Sequence, residues 1–378
     1  MARPQWLAFF DDLPDPRIER TRRHLLSDIL LIVLVGAVCQ CRGWDDTRDF
    51  IENGPPELRA LMQLPNGVPC ADTLRRVLGA LDPRAFSKAF TAWANGLCQT
   101  TEGKLVSIDG KTVRGAQGRG QAAALHLINA WVSDNSIVLG QLATDIKENE
   151  ITAIPQLIEL LDLRGAVVSI DAIGCQKSIA AKLRLRGADY LFGLKKNHPT
   201  LHKEVLESFD QATCAQLEQS EQTYWAEADK AHGRLEQRRL WVQTDIRWLT
   251  RSESWDGLQT LVLIESERTI RGKTSCERRA YLSSLQAPAK RFFDLVRGHW
   301  HIENRLHWVL DTTFGEDRVR IDRRNGAENL ALIRKVALNL LQQAPSLEGH
   351  SGTLRKIRWA SRRFDCLLSV LTAGAQDI

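Results

Sequence analysis

The 378-residue sequence has only eight cysteines, at positions 39, 41, 70, 98, 175, 214, 276 and 366, and no CxxC pair. This scatter excludes a disulfide framework and gives no spacing suited to structural zinc. A chain this long folds on its hydrophobic core, so the thiols are expected as small core residues in a reducing, cytoplasmic compartment. Long hydrophobic runs are also missing. The strongest, residues 29–39, is too short to cross a bilayer and reads as a buried core helix. Residues 1–7 lack the basic and apolar regions of a signal peptide, and no membrane contact is expected. Internal repeats and low-complexity segments are absent. Neither sign of charge dominates: 51 Lys and Arg stand against 46 Asp and Glu, a net +5. That balance permits an anionic partner, but only local clusters of cations can argue for one.

What is present changes character near residue 100. Before it, Ser27 is placed to cap a helix, a second helix starts near Trp44 or Asp45, and Asn66-Gly67 marks a turn. A third helix follows Pro69, with Leu74, Val77, Leu78 and Leu81 at helical spacing, and Asp82-Pro83 separates it from a fourth. After residue 104 the pattern reads strand (105–108), strand (125–132), turn, strand (137–142), helix (151–161), strand (167–170), helix (178–186), strand (190–194). Three antiparallel strands followed by alternating helices and strands imply an α/β fold, a mixed sheet covered by helices. Residues 238–243, 260–264 and 279–285 are further strands, read as a β-rich insertion. Helices follow after Pro288 and over 327–341, and a basic helix is expected over 354–371. The domains expected are an all-helical N-terminal domain (1–100), the first part of the core (101–204), the β-rich insertion (205–288), the second part of the core (289–343), and a linker with a basic helix (344–378).

Two strands end alike. Ser-Ile-Asp-Gly-Lys (107–111) and Ser-Ile-Asp-Ala-Ile-Gly (169–174) each place an aspartate, Asp109 or Asp171, at a strand terminus. Either alone reads as a turn residue accepting backbone N–H groups. The repetition on two core strands points elsewhere, because adjacent buried carboxylates repel unless a cation lies between them. An all-oxygen donor set selects magnesium or manganese. A third carboxylate, Glu303, lies at the edge of an apolar helical stripe, with His299 and His307 one turn away on either side. By itself it reads as a solvated helix glutamate. His299, His301 and His307 lack HExxH spacing, so zinc is not expected.

At these segments the sequence resembles bacterial insertion-sequence transposases of the DDE superfamily, in the branch that includes the H-repeat-associated proteins. The resemblance runs over nearly the whole chain. It is carried by Ser-Ile-Asp-Gly-Lys-Thr-Val-Arg-Gly (107–115), Lys-Glu-Asn-Glu-Ile-Thr-Ala-Ile-Pro (147–155), Ile-Asp-Ala-Ile-Gly-Cys-Gln (170–176), His-Gly-Arg-Leu-Glu-Gln-Arg-Arg (232–239) and the segment around Glu303. It implies an RNase H-like core, a five-stranded mixed sheet with helices on both faces. The first Asp then lies on the first strand, the second on the fourth, and the Glu on a later helix. It also implies Asp109, Asp171 and Glu303 as catalytic metal ligands, Mg2+ as cofactor with Mn2+ as substitute, double-stranded DNA as partner, and a homodimer on DNA. Some branches carry Tyr, Arg and Lys at positions that here hold Val296, His299 and Leu310. Arg297 and Arg305 are the nearest replacements.

The activity expected is cleavage of transposon ends and their joining to target DNA by two-metal phosphoryl transfer. Two other readings remain open at this point: a metal-dependent nuclease of the same fold without strand transfer, and a non-catalytic DNA-binding remnant of a mobile element. Phosphate contacts are expected from Lys111, Arg114, Lys195, Lys196, Asn197, Arg234, Arg297 and Arg305. Further basic clusters are Arg17, Arg20, Arg22 and Arg23; Arg238 and Arg239; Arg318, Arg320, Arg323 and Arg324; and Arg355, Lys356, Arg358, Arg362 and Arg363 around Trp359. Arg75 and Arg76 on the third helix are placed to enter a groove, as in a helix-turn-helix.

Overall fold

The computed structural model describes residues 3–114, 125–144, 150–231, 234–318 and 324–373. Gly115, residues 147–149, His232, Gly233, Arg320, Arg323 and the side chain of Arg324, all singled out above, lie outside the described residues.

Five helices open the chain: α1 (Leu26–Val38), α2 (Trp44–Glu52), α3 (Pro56–Arg59), α4 (Ala71–Ala80) and α5 (Pro83–Cys98). Strands β1 (Leu105–Val113), β2 (Leu125–Val132) and β3 (Ile137–Thr144) follow, then α6 (Glu150–Leu160), β4 (Val167–Ile170), α7 (Lys177–Leu185) and β5 (Asp189–Leu194). Next come α8 (Pro199–Ser208), α9 (Gln211–Leu217), β6 (Tyr224–Ala231), β7 (Arg234–Gln243), β8 (Thr260–Ile270) and β9 (Lys273–Ser283). The remainder is α10 (Ala289–His299), a π-helical turn (Ile302–His307), α11 (Trp308–Thr312), α12 (Arg324–Gln343), α13 (Thr353–Ala360) and α14 (Phe364–Thr372).

The strands run in the order β3-β2-β1-β4-β5-β9-β8-β7-β6, nine among the described residues. The architecture is a mixed α/β sheet, as expected, but not a sheet of five strands. β9 pairs antiparallel with β5, from Leu191↔Ser283 to Leu194↔Ala280, so the β-rich segment extends the sheet instead of standing apart. An uncovered β5 would present a row of unpaired N–H and C=O groups. Side chains reinforce the join: Ser283 Oγ donates to the Tyr190 carbonyl at 2.6 Å, and the Tyr190 N–H donates to Ser284 Oγ at 3.0 Å.

The chain divides into two compact units: Thr101–Asp109 with Glu150–Ile302, and Met1–Thr100 with Gly110–Asn149 and Glu303–Ile378. In the first, β1, β4 and β5 are parallel, and β4 is aligned with both neighbours. Leu105, Val167 and Leu191 occupy one face and pack with Leu240, Val262 and the α10 residues Phe292, Phe293 and Val296.

In the second unit, α1 is apolar all round and buried from Ile29 to Val35, as expected for a core helix. Its N-cap is Leu25, with no capping side chain, instead of Ser27. The neighbouring Asp28 carboxylate accepts the N–H groups of Gln63 (3.2 Å) and Leu64 (2.9 Å). Asp82 caps α5 by accepting the Arg84 N–H at 3.0 Å. Helix α12 is stitched to β3 by Asn339, which accepts the Val138 N–H and donates to the Val138 carbonyl, both at 2.9 Å. The basic helix expected over 354–371 is two helices, α13 and α14, broken after Ala360. Lys356 is 4% exposed, and its ammonium donates to the carbonyls of Leu341 and Ala344. Among the described residues no helix is long and apolar enough to cross a membrane.

Candidate active site

Parallel pairing of β1 with β4 sets the first feature. Ser107 pairs with Ser169 and Ile108 with Ile170. Asp109 and Asp171 are therefore the next residues on two adjacent parallel strands, at the same carboxyl end, and both are half-buried. β1 runs on to Val113 instead of stopping at Asp109, but the described β1–β4 ladder ends one residue before the aspartates. Carboxyl ends of strands are where ligands of open α/β sheets collect.

Asp171 has a turn role as well. Its Oδ1 accepts the Ile173 N–H at 3.0 Å, which caps the short helical turn Ala172–Gly174. Next to it, the Asn197 amide donates to the Ala172 carbonyl at 2.6 Å, and His198 Nε2 lies 2.7 Å from the Cys175 carbonyl. Asn197, expected as a DNA contact, thus holds the loop after β5 against the turn after Asp171. Lys195 and Lys196 are exposed beside it.

Beneath the aspartates lies a polar string that the sequence reading missed. His299, in the last turn of α10, shares a 2.8 Å hydrogen bond between its Nδ1 and Ser169 Oγ, and Ser169 Oγ donates to Ser107 Oγ at 3.1 Å. Burial pushes the imidazole down to about 4; Asp171 opposes that shift and Lys195 adds to it. At neutral pH His299 is therefore an uncharged hydrogen-bonding group. The repeated Ser two residues before each Asp was the signal for this string.

Glu303 belongs to the π-helical turn and is exposed. Such turns often mark functional sites. Arg305, in the same turn, is also exposed. Among the described residues no group of three or more His, Cys, Asp or Glu side chains is arranged to hold a metal ion. The chemistry of Asp109 and Asp171 still fits a divalent cation, because their oxygens are hard donors at one strand end.

Lys111 corrects an expectation. It is 7% exposed, and its ammonium lies 2.7 Å from Asp311, 2.8 Å from Glu316 and 3.7 Å from Asp317. A cation enclosed by three carboxylates is not available to a phosphate. Burial opposes ionisation of Glu316, but Lys335, Lys111 and Arg334 outweigh it and hold its carboxyl below the ordinary value. Lys335, fully buried, donates to Gln141 Oε1 at 2.6 Å, and burial pushes it down to about 8.

Other expected phosphate contacts differ in availability. Arg114 is exposed, and its N–H donates to Asp317 at 3.0 Å. Arg234 lies 3.9 Å from Glu236, and Arg297 lies 3.3 Å from Glu227. Arg238 pairs with Glu236 at 2.7 Å, and Arg75 and Arg76 both pair with Asp72 on an exposed face of α4. The exposed pairs among these, Arg297 with Glu227 and Arg75 and Arg76 with Asp72, open at little cost, whereas Glu236 is largely covered.

Residues 100–340 match the family described as Transposase DDE domain, and residues 7–94 match its companion, DDE_Tnp_1-associated. The chain is 36% identical over 369 residues to the H repeat-associated putative transposase YhhI of Escherichia coli K12, covering 96% of each. It is 36% identical to the putative transposase YncI of Escherichia coli O157:H7, covering 93% of this chain and 90% of that one. It is 40% identical to an uncharacterized protein in the dhlA 3' region of Xanthobacter autotrophicus, covering 75% of this chain and 96% of that one. Among solved structures it aligns with the piggyBac transposase synaptic complex with hairpin DNA at a TM-score of 0.43 and 11% identity, covering all of this chain and 82% of that one.

Proposed function

The chain belongs to the Transposase DDE domain family, and from that premise we propose that it cleaves the ends of an insertion sequence and joins them to target DNA, with Asp109, Asp171 and Glu303 as the catalytic carboxylates. The observation that carries this reading is the β1–β4 register, which sets Asp109 and Asp171 side by side at one strand end.

Two Mg2+ ions, or Mn2+ in their place, would be held by these carboxylates and supply the Lewis-acid chemistry of an in-line displacement at phosphorus. The chain's own residues prepare the site. Asp171 keeps one oxygen on the Ile173 N–H, which restricts its rotamer and leaves the other oxygen to act. Asn197 steadies the turn that carries it. Neutral His299 fixes Ser169, two residues behind Asp171, without adding a positive charge. Lys195, Lys196, Arg114 and Arg305, all exposed, are proposed to take DNA phosphates. Arg234 and Arg297 would do so by exchanging their glutamate partners for phosphate. Bringing two ends together calls for two copies of the chain on DNA.

The test is end cleavage with labelled insertion-sequence DNA and a target plasmid. Asp109→Asn, Asp171→Asn and Glu303→Gln should each lower cleavage and joining at least a hundredfold while binding the ends within about threefold of wild type. Retained cleavage in any one variant removes that residue from the site. Cleavage without joining in the wild type reduces the activity to that of a nuclease.

A further inference from the structure

A cavity of about 720 Å3 opens within the unit that carries α1, α2 and α12, and none of its lining belongs to the carboxylate site. Its volume falls within the range of small-molecule sites, about 300–1,000 Å3. It lies between the α1–α2 corner and residues 312–318, with α12 forming a wall. Every charged side chain that lines it is an arginine: Arg42, Arg318 and Arg334.

Arg334 is the informative one. It is 6% exposed, yet among the described residues its guanidinium donates no hydrogen bond and makes no ion pair. Glu316 acts on it electrostatically without bonding to it, and the Oε2 of that carboxylate is taken up by Lys111. A guanidinium presents five donors in a rigid fork, and those of Arg334 open on the cavity, where no protein acceptor among the described residues meets them. An oxyanion in the cavity would engage them through two parallel N–H bonds. Arg42 and Arg318 are exposed on the same lining and add charge of the same sign. The lining also holds two half-buried aromatic rings, Trp44 and Phe314. Gln40, which donates to the Thr313 carbonyl, ties the α1–α2 corner to the segment carrying Phe314. An arginine-only charge set beside aromatic surface matches one ligand chemistry, a phosphate attached to a flat ring.

We propose that this cavity binds a nucleoside monophosphate unit, with its phosphate on Arg334 between Arg42 and Arg318 and its base against Trp44 and Phe314. The unit is either a free nucleotide or the terminal residue of a DNA strand. Its recognition requires none of Asp109, Asp171 or Glu303.

The experiment is calorimetric titration of the full chain with dAMP, deoxyadenosine, inorganic phosphate, and a short oligonucleotide bearing either a 5′ phosphate or a 5′ hydroxyl. Saturable dAMP binding is expected, at least tenfold tighter than either deoxyadenosine or phosphate, and unchanged in Asp109→Asn. Arg334→Met should weaken it at least tenfold. Because loss of a buried arginine can unfold its helix, the surface double variant Arg42→Ser/Arg318→Ser, checked for an unchanged melting temperature, should weaken it at least fivefold. Tighter binding of the 5′-phosphorylated oligonucleotide than of dAMP assigns the site to a strand end, and the reverse assigns it to a free nucleotide. Absence of saturable dAMP binding, or equal binding by the double variant, overturns the proposal.

Discussion

Glu316 shows how much a single side chain can hold together. Its fully buried carboxylate faces Lys111 and offsets the buried charges of Lys335 and Arg334. Removing one member of such a cluster leaves uncompensated charge, at a cost of about 3–5 kcal/mol. Glu316→Gln should therefore lower the urea midpoint sharply; a change under about 1 kcal/mol would show that Lys335 is already neutral in the native protein. His299 makes a different prediction. Its folded pKa, about 4, lies below the ordinary histidine value of about 6.5. Its contribution to stability is thus fully present above pH 6.5 and is lost as pH falls toward 4. With metal chelated, the wild type should lose more stability between pH 7 and pH 5 than His299→Gln, which keeps a hydrogen-bonding group for Ser169. Equal losses would place the dependence elsewhere. At this scale the sequence was legible for the placement of the two aspartates on core strands, because Ser-Ile-Asp occurs twice there. It was not legible for Lys111, which reads as a surface cation until Asp311, Glu316 and Asp317, about 200 positions later, fold around it.

The parallel strands β4 and β5 were read correctly because short apolar runs bounded by turns carry a clear signal. β6 was missed, since Tyr224–Ala231 mixes charged and small residues without clean alternation. The single C-terminal helix was wrong for a related reason. Helical spacing continues across residues 361–363, but the chain breaks there into α13 and α14. The extension of the sheet through β9 was hidden too, because strand content does not reveal which edge a strand will join. The loop after β5 supports a prediction at this scale. Lys195 and Lys196 are adjacent and exposed, and each phosphate contact contributes about 0.9 to the slope of log affinity against log salt. Replacing both with serine should flatten that slope by about 1 to 2; an unchanged slope would remove the loop from the DNA-binding surface.

Across the whole molecule, neither compact unit is a continuous stretch of chain. The polypeptide passes between them after residues 100, 109, 149 and 302. Sequence reading divided the chain into consecutive blocks, because composition changes along a chain mark linkers and not such returns. A fragment ending at residue 302 would lose α12, and with it Asn339 and Lys335, which satisfy Val138 and Gln141 on β3. That fragment should be insoluble or bind a hydrophobic dye strongly, and a well-folded soluble fragment would show that β3 needs no α12.

The indole of Trp6 donates to the carbonyl of Leu371 at 2.9 Å, across 365 positions. During synthesis this bond cannot close until residue 371 has left the ribosome. The first helices must therefore wait, partly uncovered, until α12 and α14 have been made. A ribosome stalled before residue 371 would hold a nascent chain open to chaperones and proteases.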